Sequence, residues 1–212
     1  MKGTLAIIGS GQLGQQIAHY AINDGHYGKV VFFDDVTVEK MVNGFEILGT
    51  SDFVLPSFDK KLFDELLIGI GYKHLNVRAS LYEKFKDKIP FGKIIHSSVL
   101  LDETAFVEPG CVIYPGCIID AHSVISANTI LNIGCAIAHD SVIGRNCFLS
   151  PRVAVAGFVT VAEKCILGIN STIIDNISIV AKTQIGAGSV VIKNIENSGL
   201  YVGNPSRFVR NL

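Results

Sequence analysis

Residues 111–149 read CVIYPGCIIDAHSVISANTILNIGCAIAHDSVIGRNCFL, and this stretch decides the fold. A branched aliphatic returns on every sixth residue. Extended in both directions, the series runs Leu101, Val107, Ile113, Ile119, Ile125, Leu131, Ile137, Ile143, Leu149, Val155, Val161, Leu167, Ile173, Ile179, Ile185 and Val191. Two residues before these, from Val107 onward, come Ala105, Cys111, Cys117, Ser123, Thr129, Cys135, Ser141, Cys147, Cys165, Ser171, Thr183 and Ser189, with only Val153, Val159 and Ile177 larger. No α-helix has a period of six. A coil with three short flat faces does, because each face sends one aliphatic inward and one small residue fits beside the tight corner. The stretch is therefore expected to form a hexapeptide parallel β-helix of about five coils, whose stacking leaves only two end edges to protect.

The same register accounts for the cysteines. Cys111, Cys117, Cys135, Cys147 and Cys165 all fall on the small inward position, where a free thiol behaves as a compact hydrophobe. An odd count with no C-x-x-C spacing fits a reducing compartment and argues against a disulfide framework or a thiol nucleophile.

Composition narrows the classes. Of 212 residues 49% are hydrophobic and only 17% charged, below the roughly 25% charged content usual for soluble domains, so surface is expected to be shared between subunits. The net charge of −1 and the lack of a basic stripe exclude nucleic acid as the expected partner. Mean hydropathy is +0.41, yet Gly, Asp, Asn or Ser interrupts every apolar run well short of the roughly 18 residues a spanning helix needs, so no membrane insertion is expected. The opening MKGTLAIIGSG has no small-residue cleavage site, and the location is read as cytoplasmic.

The first ninety residues carry no such period. KGTLAIIG reads as a buried strand, GSGQLGQQIAHYAIND as a loop entering an amphipathic helix, and KVVFFDD as a second strand, which makes a β-α-β unit. ELLIGIG is expected to be a third strand and HLNVRASLYEKFKD a helix with Leu75, Val77, Leu81 and Phe85 on its inner face. IPFGKIIHSSV is the link to the repeats. Gly9-Ser10-Gly11-Gln12-Leu13-Gly14 is a G-x-G-x-x-G loop, whose glycines let backbone N–H groups approach a phosphate at a helix N-terminus. Asp34 and Asp35 end the second strand, where an acid holds a ribose or a base. With only about ninety residues before the repeats and no second mononucleotide half, a dinucleotide oxidoreductase is not expected.

Of the histidines, His139 stands apart. It follows the inward Ile137 and precedes Asp140, so it is either a general base with a carboxylate beside it or an exposed turn residue. Metal catalysis of the γ-class carbonic anhydrase kind needs three converging imidazoles, and the repeats hold only His122 and His139. No metal is expected.

The hexad array, the segment Asn132-Ile133-Gly134-Cys135-Ala136-Ile137-Ala138-His139-Asp140, the run IGAGSVV and the closing YVGNPSRFV, together with GSGQLG, FFDD and the GIG ending at Gly71, resemble the sialic-acid O-acetyltransferase and bacillosamine-pathway N-acetyltransferase family of hexapeptide-repeat sugar acyltransferases. The resemblance covers essentially the whole chain. It implies a small Rossmann-like α/β nucleotide-sugar-binding domain over residues 1–92, then a left-handed β-helix acetyltransferase domain with a C-terminal tail over 93–212. It also implies a homotrimer that uses acetyl-CoA to acetylate the amino group of a nucleotide-linked amino-deoxysugar at sites between subunits. His139 would be the general base and Asp140 the carboxylate that orients it, with Asn132 near the reacting sugar. Gly157 would offer its N–H to the thioester oxygen, and Ile169 and Ala187 would lie along the CoA arm. Gly9, Gly11, Gln12, Leu13, Gly14, Asp34, Asp35 and Gly71 would surround the nucleotide. The chain departs from the family at Leu13 and Phe148, where histidines are common, and at Ala138, where some relatives have Glu. Transfer to a sugar hydroxyl, as on a sialic acid, and a non-enzymatic β-helix trimer are the alternatives.

The residues that precede the inward aliphatics, Phe106, Val112, Ile118, Val124, Ile130, Val142, Phe148 and Ile166, are apolar as well. On a lone chain they would expose a patch beyond the few hundred Å² that monomers tolerate, so partner subunits are expected to cover them.

Overall fold

The structure is a computed structural model and describes residues 2–212. It forms two compact units, one reaching to Ile94 and one from Ile95 to Leu212.

In the first unit β1 (Thr4–Ile8) leads into α1 (Gln12–Asn23) and β2 (Lys29–Phe33). A hairpin of β3 (Met41–Val42) and β4 (Phe45–Ile47) follows, then the short α2 (Val54–Asp59), β5 (Glu65–Ile68) and α3 (Leu75–Phe85). The sheet order is β3-β4-β2-β1-β5, with β1 parallel to both β2 and β5. Its central strands are continuous apolar runs, as befits strands covered on both faces: Leu5, Ala6 and Ile7 of β1 and Val31, Phe32 and Phe33 of β2 are fully buried.

The inner face of α3 differs from the expected one. Leu75, Arg78, Ala79, Leu81, Tyr82 and Phe85 are buried, whereas Val77 is half exposed. At about 100° per residue Val77 stands some 200° round the helix from Leu75, so the i, i+3, i+4, i+7 row passes through Arg78, Ala79 and Tyr82 instead. Arg78 is fully buried because its guanidinium donates to the carbonyls of Ile68 and Ile70.

The second unit is a left-handed parallel β-helix. The chain visits three faces in turn, two residues per strand. The first face runs through Val112–Ile113, Ile130–Leu131, Phe148–Leu149, Ile166–Leu167 and Gln184–Ile185. The second runs from Leu100–Leu101 through Ile118–Ile119, Ala136–Ile137, Ala154–Val155 and Thr172–Ile173 to Val190–Val191. The third holds Phe106–Val107, Val124–Ile125, Val142–Ile143, Thr160–Val161 and Ser178–Ile179. Strands pair with those eighteen residues away, as Val124 and Ile125 do with Val142 and Ile143. From Val107 to Val191 the sixth-residue aliphatics stack inside, Ile125, Leu131, Ile143 and Leu149 with no exposure at all, whereas Leu101 at the end of the stack is left 40% exposed.

All five cysteines are buried and free, and burial pushes the Cys147 thiol well above its ordinary range. The small inward positions have a second property. The Cys111, Cys117, Cys135, Cys147 and Cys165 thiols donate to the carbonyls of Ser126, Asn132, Ser150, Ala162 and Val180, and the Ser123, Thr129 and Ser141 hydroxyls to those of Ala138, Gly144 and Ala156. Each partner lies fifteen residues on, in the next coil. At these eight positions a small donor serves whether it is Cys, Ser or Thr, while Thr183 donates instead to the Val180 carbonyl three residues back and the Ser171 hydroxyl finds no acceptor among the described residues.

The corners carry a further beat. The second residue of a turn takes positive φ at Asn128, Asn146, Asn170 and Asn176, and at Gly134 and Gly188, residue types that tolerate the left-handed region.

The outward apolar residues divide into two groups. Phe106 and Ile118 are 58% and 46% exposed, but Val112, Ile130 and Phe148, at most 6% exposed, are already covered within one chain. These three share the first face, so burial there follows from the fold of the single chain and needs no partner subunit.

Candidate active site

The first unit holds a cleft of about 960 Å³ where β1 and β2 end and α1 begins. Gly9 closes β1 with φ +102 and donates its N–H to Phe33, and Gly11 caps α1. The last glycine of the motif has another task. A Cβ at Gly14 would stand 1.9 Å from the Gly9 carbonyl and 3.2 Å from the Phe32 ring, so Gly14 lets helix and strand meet and lies behind the cleft wall. At Gly11 a Cβ would meet nothing within 4 Å. That open side faces the cleft, together with the first turn of α1, whose N–H groups have no intrahelical acceptor.

Asp34 and Asp35 part company. One Asp34 oxygen accepts the Ser10 N–H and hydroxyl, both at 2.7 Å, and the other accepts the N–H groups of Val36 and Thr37 at 2.9 and 3.1 Å. Partial burial pushes this carboxyl up, but those four donors outweigh it and hold Asp34 below the usual carboxylate range. Asp34 thus clasps two loops together. Asp35 is exposed on the cleft and uses one oxygen, Oδ1, to accept the Ser51 N–H at 2.6 Å. Gly9, Gly11, Gln12, Leu13 and Gly71 line the same cleft.

Several lining residues escaped the sequence reading. Met41 and Val42 of the hairpin and Tyr72 and Val77 provide apolar walls, while Lys73 brings an ammonium group and His74 an imidazole to the cleft. The hairpin has no G-x-G-like signature. Lys73-His74 directly after the GIG was the available signal.

In the β-helix, His139 and Asp140 form the corner between the second and third faces. The imidazole Nδ1 lies 2.9 Å from Asp140 Oδ2. A carboxylate only accepts, so Nδ1 is the donor in this contact, and in the neutral form of the ring the lone pair is then on Nε2. Gly157 occupies the matching place one coil on, buried, with its Cα under the imidazole, and the Phe158 ring stands perpendicular to that imidazole at 5.2 Å. Among the described residues the Gly157 N–H has no hydrogen-bond acceptor. Ser141 bonds the Ala156 carbonyl and accepts the Val159 N–H, which ties the two coils together beside this pair.

Asn132, Ile169 and Ala187 are at a different corner, between the first and second faces. Within one chain they are separated from His139 by the width of the second face. Its outward residues Ala136, Ala138, Ala154 and Ala156 are small and leave a shallow groove of about 440 Å³. Phe148, a departure from the resemblance drawn above, is buried and has no polar side-chain atom to turn to this groove. No group of three or more His, Cys, Asp or Glu among the described residues could hold a metal ion, and no helix is long and apolar enough to cross a membrane.

Comparison with known proteins agrees with this anatomy. Residues 4–85 match the PglD N-terminal domain family. The whole chain is similar to the acetyltransferase domain of PglB from Neisseria gonorrhoeae FA1090, at 25% identity and TM-score 0.90, covering 97% of this chain and 99% of that one. It is similar to PerB from Caulobacter crescentus, solved in complex with CoA and GDP-perosamine, at 27% identity and TM-score 0.89, covering 98% of this chain and 97% of that one. WeeI from Acinetobacter baumannii AYE shares the fold at 19% identity and TM-score 0.71, over 97% of this chain and 99% of that one. No curated protein matches the chain.

Proposed function

We propose that this chain, whose residues 4–85 match the PglD N-terminal domain family and whose full length is similar to PglB and PerB, is a hexapeptide-repeat sugar acetyltransferase that moves an acetyl group from acetyl-CoA to the amino group of a nucleotide-linked amino-deoxysugar. The observation that carries the proposal is the His139–Asp140 pair at 2.9 Å with an unbonded Gly157 N–H one coil away. PerB, similar over nearly the full length, is solved with CoA and a GDP-linked amino sugar.

In the proposed transfer the neutral amine attacks the thioester carbonyl and its nitrogen becomes cationic in the tetrahedral intermediate. His139 Nε2 takes a proton from that nitrogen as the intermediate forms, and Asp140 stabilises the resulting imidazolium. Gly157 donates its N–H to the developing oxyanion. The carbon–sulfur bond then breaks, the amide remains on the sugar, and the imidazolium returns its proton to the departing thiolate. Asp35, Gly11 and the first turn of α1 would hold the nucleotide, with Lys73 and His74 facing its phosphates.

We further propose a homotrimer. Exposed Leu100, Phe106 and Ile118 support it, as does the placement of Ile169 and Ala187 at another corner from His139, so that the acyl donor would run between the base of one copy and the Ile169 corner of its neighbour. Five reduced thiols support a cytoplasmic location.

The test is release of free CoA thiol on mixing acetyl-CoA with UDP-, dTDP- and GDP-linked amino sugars, followed by locating the added acetyl mass. Turnover with at least one of them and a modified nitrogen is expected. Acetyl on oxygen, or no thiol release with any amino sugar, would overturn the reading. A stable monomer in sedimentation at micromolar concentration would remove the trimer.

A further inference from the structure

Each coil turns the corner of His139 through two positions. Ala121, His139, Gly157 and Asp175 occupy the first, and His122, Asp140, Phe158 and Asn176 the second, with φ of 59, 56, 57 and 59°. Positive φ crowds a large side chain against its own backbone. Across the positive-φ positions other than glycine among the described residues, the side chains are Asn, Asp, His, Lys or Arg, with Phe158 the one apolar exception. Phe158 is also 56% exposed, so neither the backbone nor the core gains from an aromatic ring there. Strain of this kind collects at functional sites. What the ring does touch is His139, edge to face, with the two planes at 87°.

A second observation concerns Gly157. Its φ is outside the left-handed region, so the backbone would accept any residue. The obstacle is the imidazole, since a Cβ at this position would come within 2.8 Å of Cε1, 2.9 Å of Nε2 and 3.3 Å of Nδ1 of His139. The ring therefore has Asp140 at one nitrogen, bare Cα beneath it and a perpendicular aromatic ring beside it.

We infer that Gly157 and Phe158 are positioning residues that seat the His139 imidazole with Nε2 facing outward, an inference that rests on His139 being the base of the proposed transfer. Gly157 supplies the space and Phe158 the wall. This role is separate from the Gly157 N–H as an oxyanion donor, because alanine keeps that N–H and loses only the space.

Three variants test it in the full-length protein. Asparagine tolerates positive φ, so Phe158→Asn should keep or raise the melting temperature while lowering kcat by about tenfold, with both KM values within about twofold. Gly157→Ala, which displaces the ring by about an ångström, should lower kcat by about a hundredfold. In a His139→Ala background Phe158→Asn should not lower the residual rate further, since no ring remains to be seated. Wild-type kcat in both single variants would overturn the inference. A Phe158→Asn loss that persists in full without the imidazole would also overturn it, because Phe158 would then act on the substrates directly. Wild-type turnover by His139→Ala alone would remove the base reading, and the seat with it.

Discussion

The two units of this protein solve the same packing problem in opposite ways. In the α/β unit each residue has its own reason. Gly9 turns the chain, Gly14 admits a helix against a strand, Asp34 clasps two loops and Arg78 collects two carbonyls. In the β-helix a single rule is repeated every six residues, an aliphatic inward and a small donor beside it. Function therefore leaves different traces. In the α/β unit it hides among residues that are all individual, and only a motif reveals it. In the β-helix the proposed site coincides with a break in the pattern, at the corner where His139 and Asp140 stand over Gly157 and Phe158, the one apolar side chain at positive φ among the described residues.

That contrast can be broken or sharpened by measurement. The largest effect belongs to the break in the pattern. His139→Ala should lower kcat by on the order of 10² to 10⁴, the usual worth of a positioned general base, with both KM values nearly unchanged. Steady-state kinetics on the best amino-sugar substrate decides it, and a loss confined to KM would reassign His139 to binding.

Next in size is the repeated rule. Leu149→Ala and Ile125→Ala remove fully buried inward side chains from different coils, and each should lower the unfolding free energy by roughly 2 to 5 kcal/mol in chemical denaturation. Near-equal losses would confirm that the positions are equivalent. Val77→Ala, which sequence periodicity had put on an inner face, should change stability by less than about 0.5 kcal/mol because that side chain is half exposed.

Two glycines of one motif should then separate. Gly14→Ala forces a methyl against the Gly9 carbonyl and should destabilise the protein by about 1 to 3 kcal/mol. Gly11→Ala meets no protein atom, so its melting temperature should hold while the KM for the sugar nucleotide rises and that for acetyl-CoA does not. A similar loss of stability in both would leave the loop without a binding role.

The smallest effect is a dependence on pH. The Asp34 carboxyl is held below its ordinary range by its four donors, after burial has pushed it the other way. The unfolded chain then takes up the proton more readily than the folded one. The contribution of Asp34 to stability is accordingly complete above the ordinary carboxylate value of about 4 and is lost as pH falls through the lower folded value. Denaturation midpoints measured from pH 6 downward should show this slope in the wild type and a shallower one in Asp34→Asn.

The sequence by itself determined the architecture of the repeats, the burial of five cysteines, the β-α-β unit and the identity of His139 as a residue out of pattern. A period states which way a side chain points, and direction is most of what a repeated coil requires. Tertiary structure alone decided which groups meet. It showed that Cys, Ser and Thr at eight of the small inward positions share one bond, to a carbonyl fifteen residues on. It engaged Asp34 with Ser10 and left Asp35 to the cleft, and it buried Val112, Ile130 and Phe148 within one chain. It also set Ile169 and Ala187 at a different corner from His139, and put Phe158 against the imidazole. Each of these depends on a distance between residues that are remote in sequence. That distance is fixed only when coils stack and loops close, because hydrogen bonds and ring contacts act over a few ångströms and carry no periodic signature of their own.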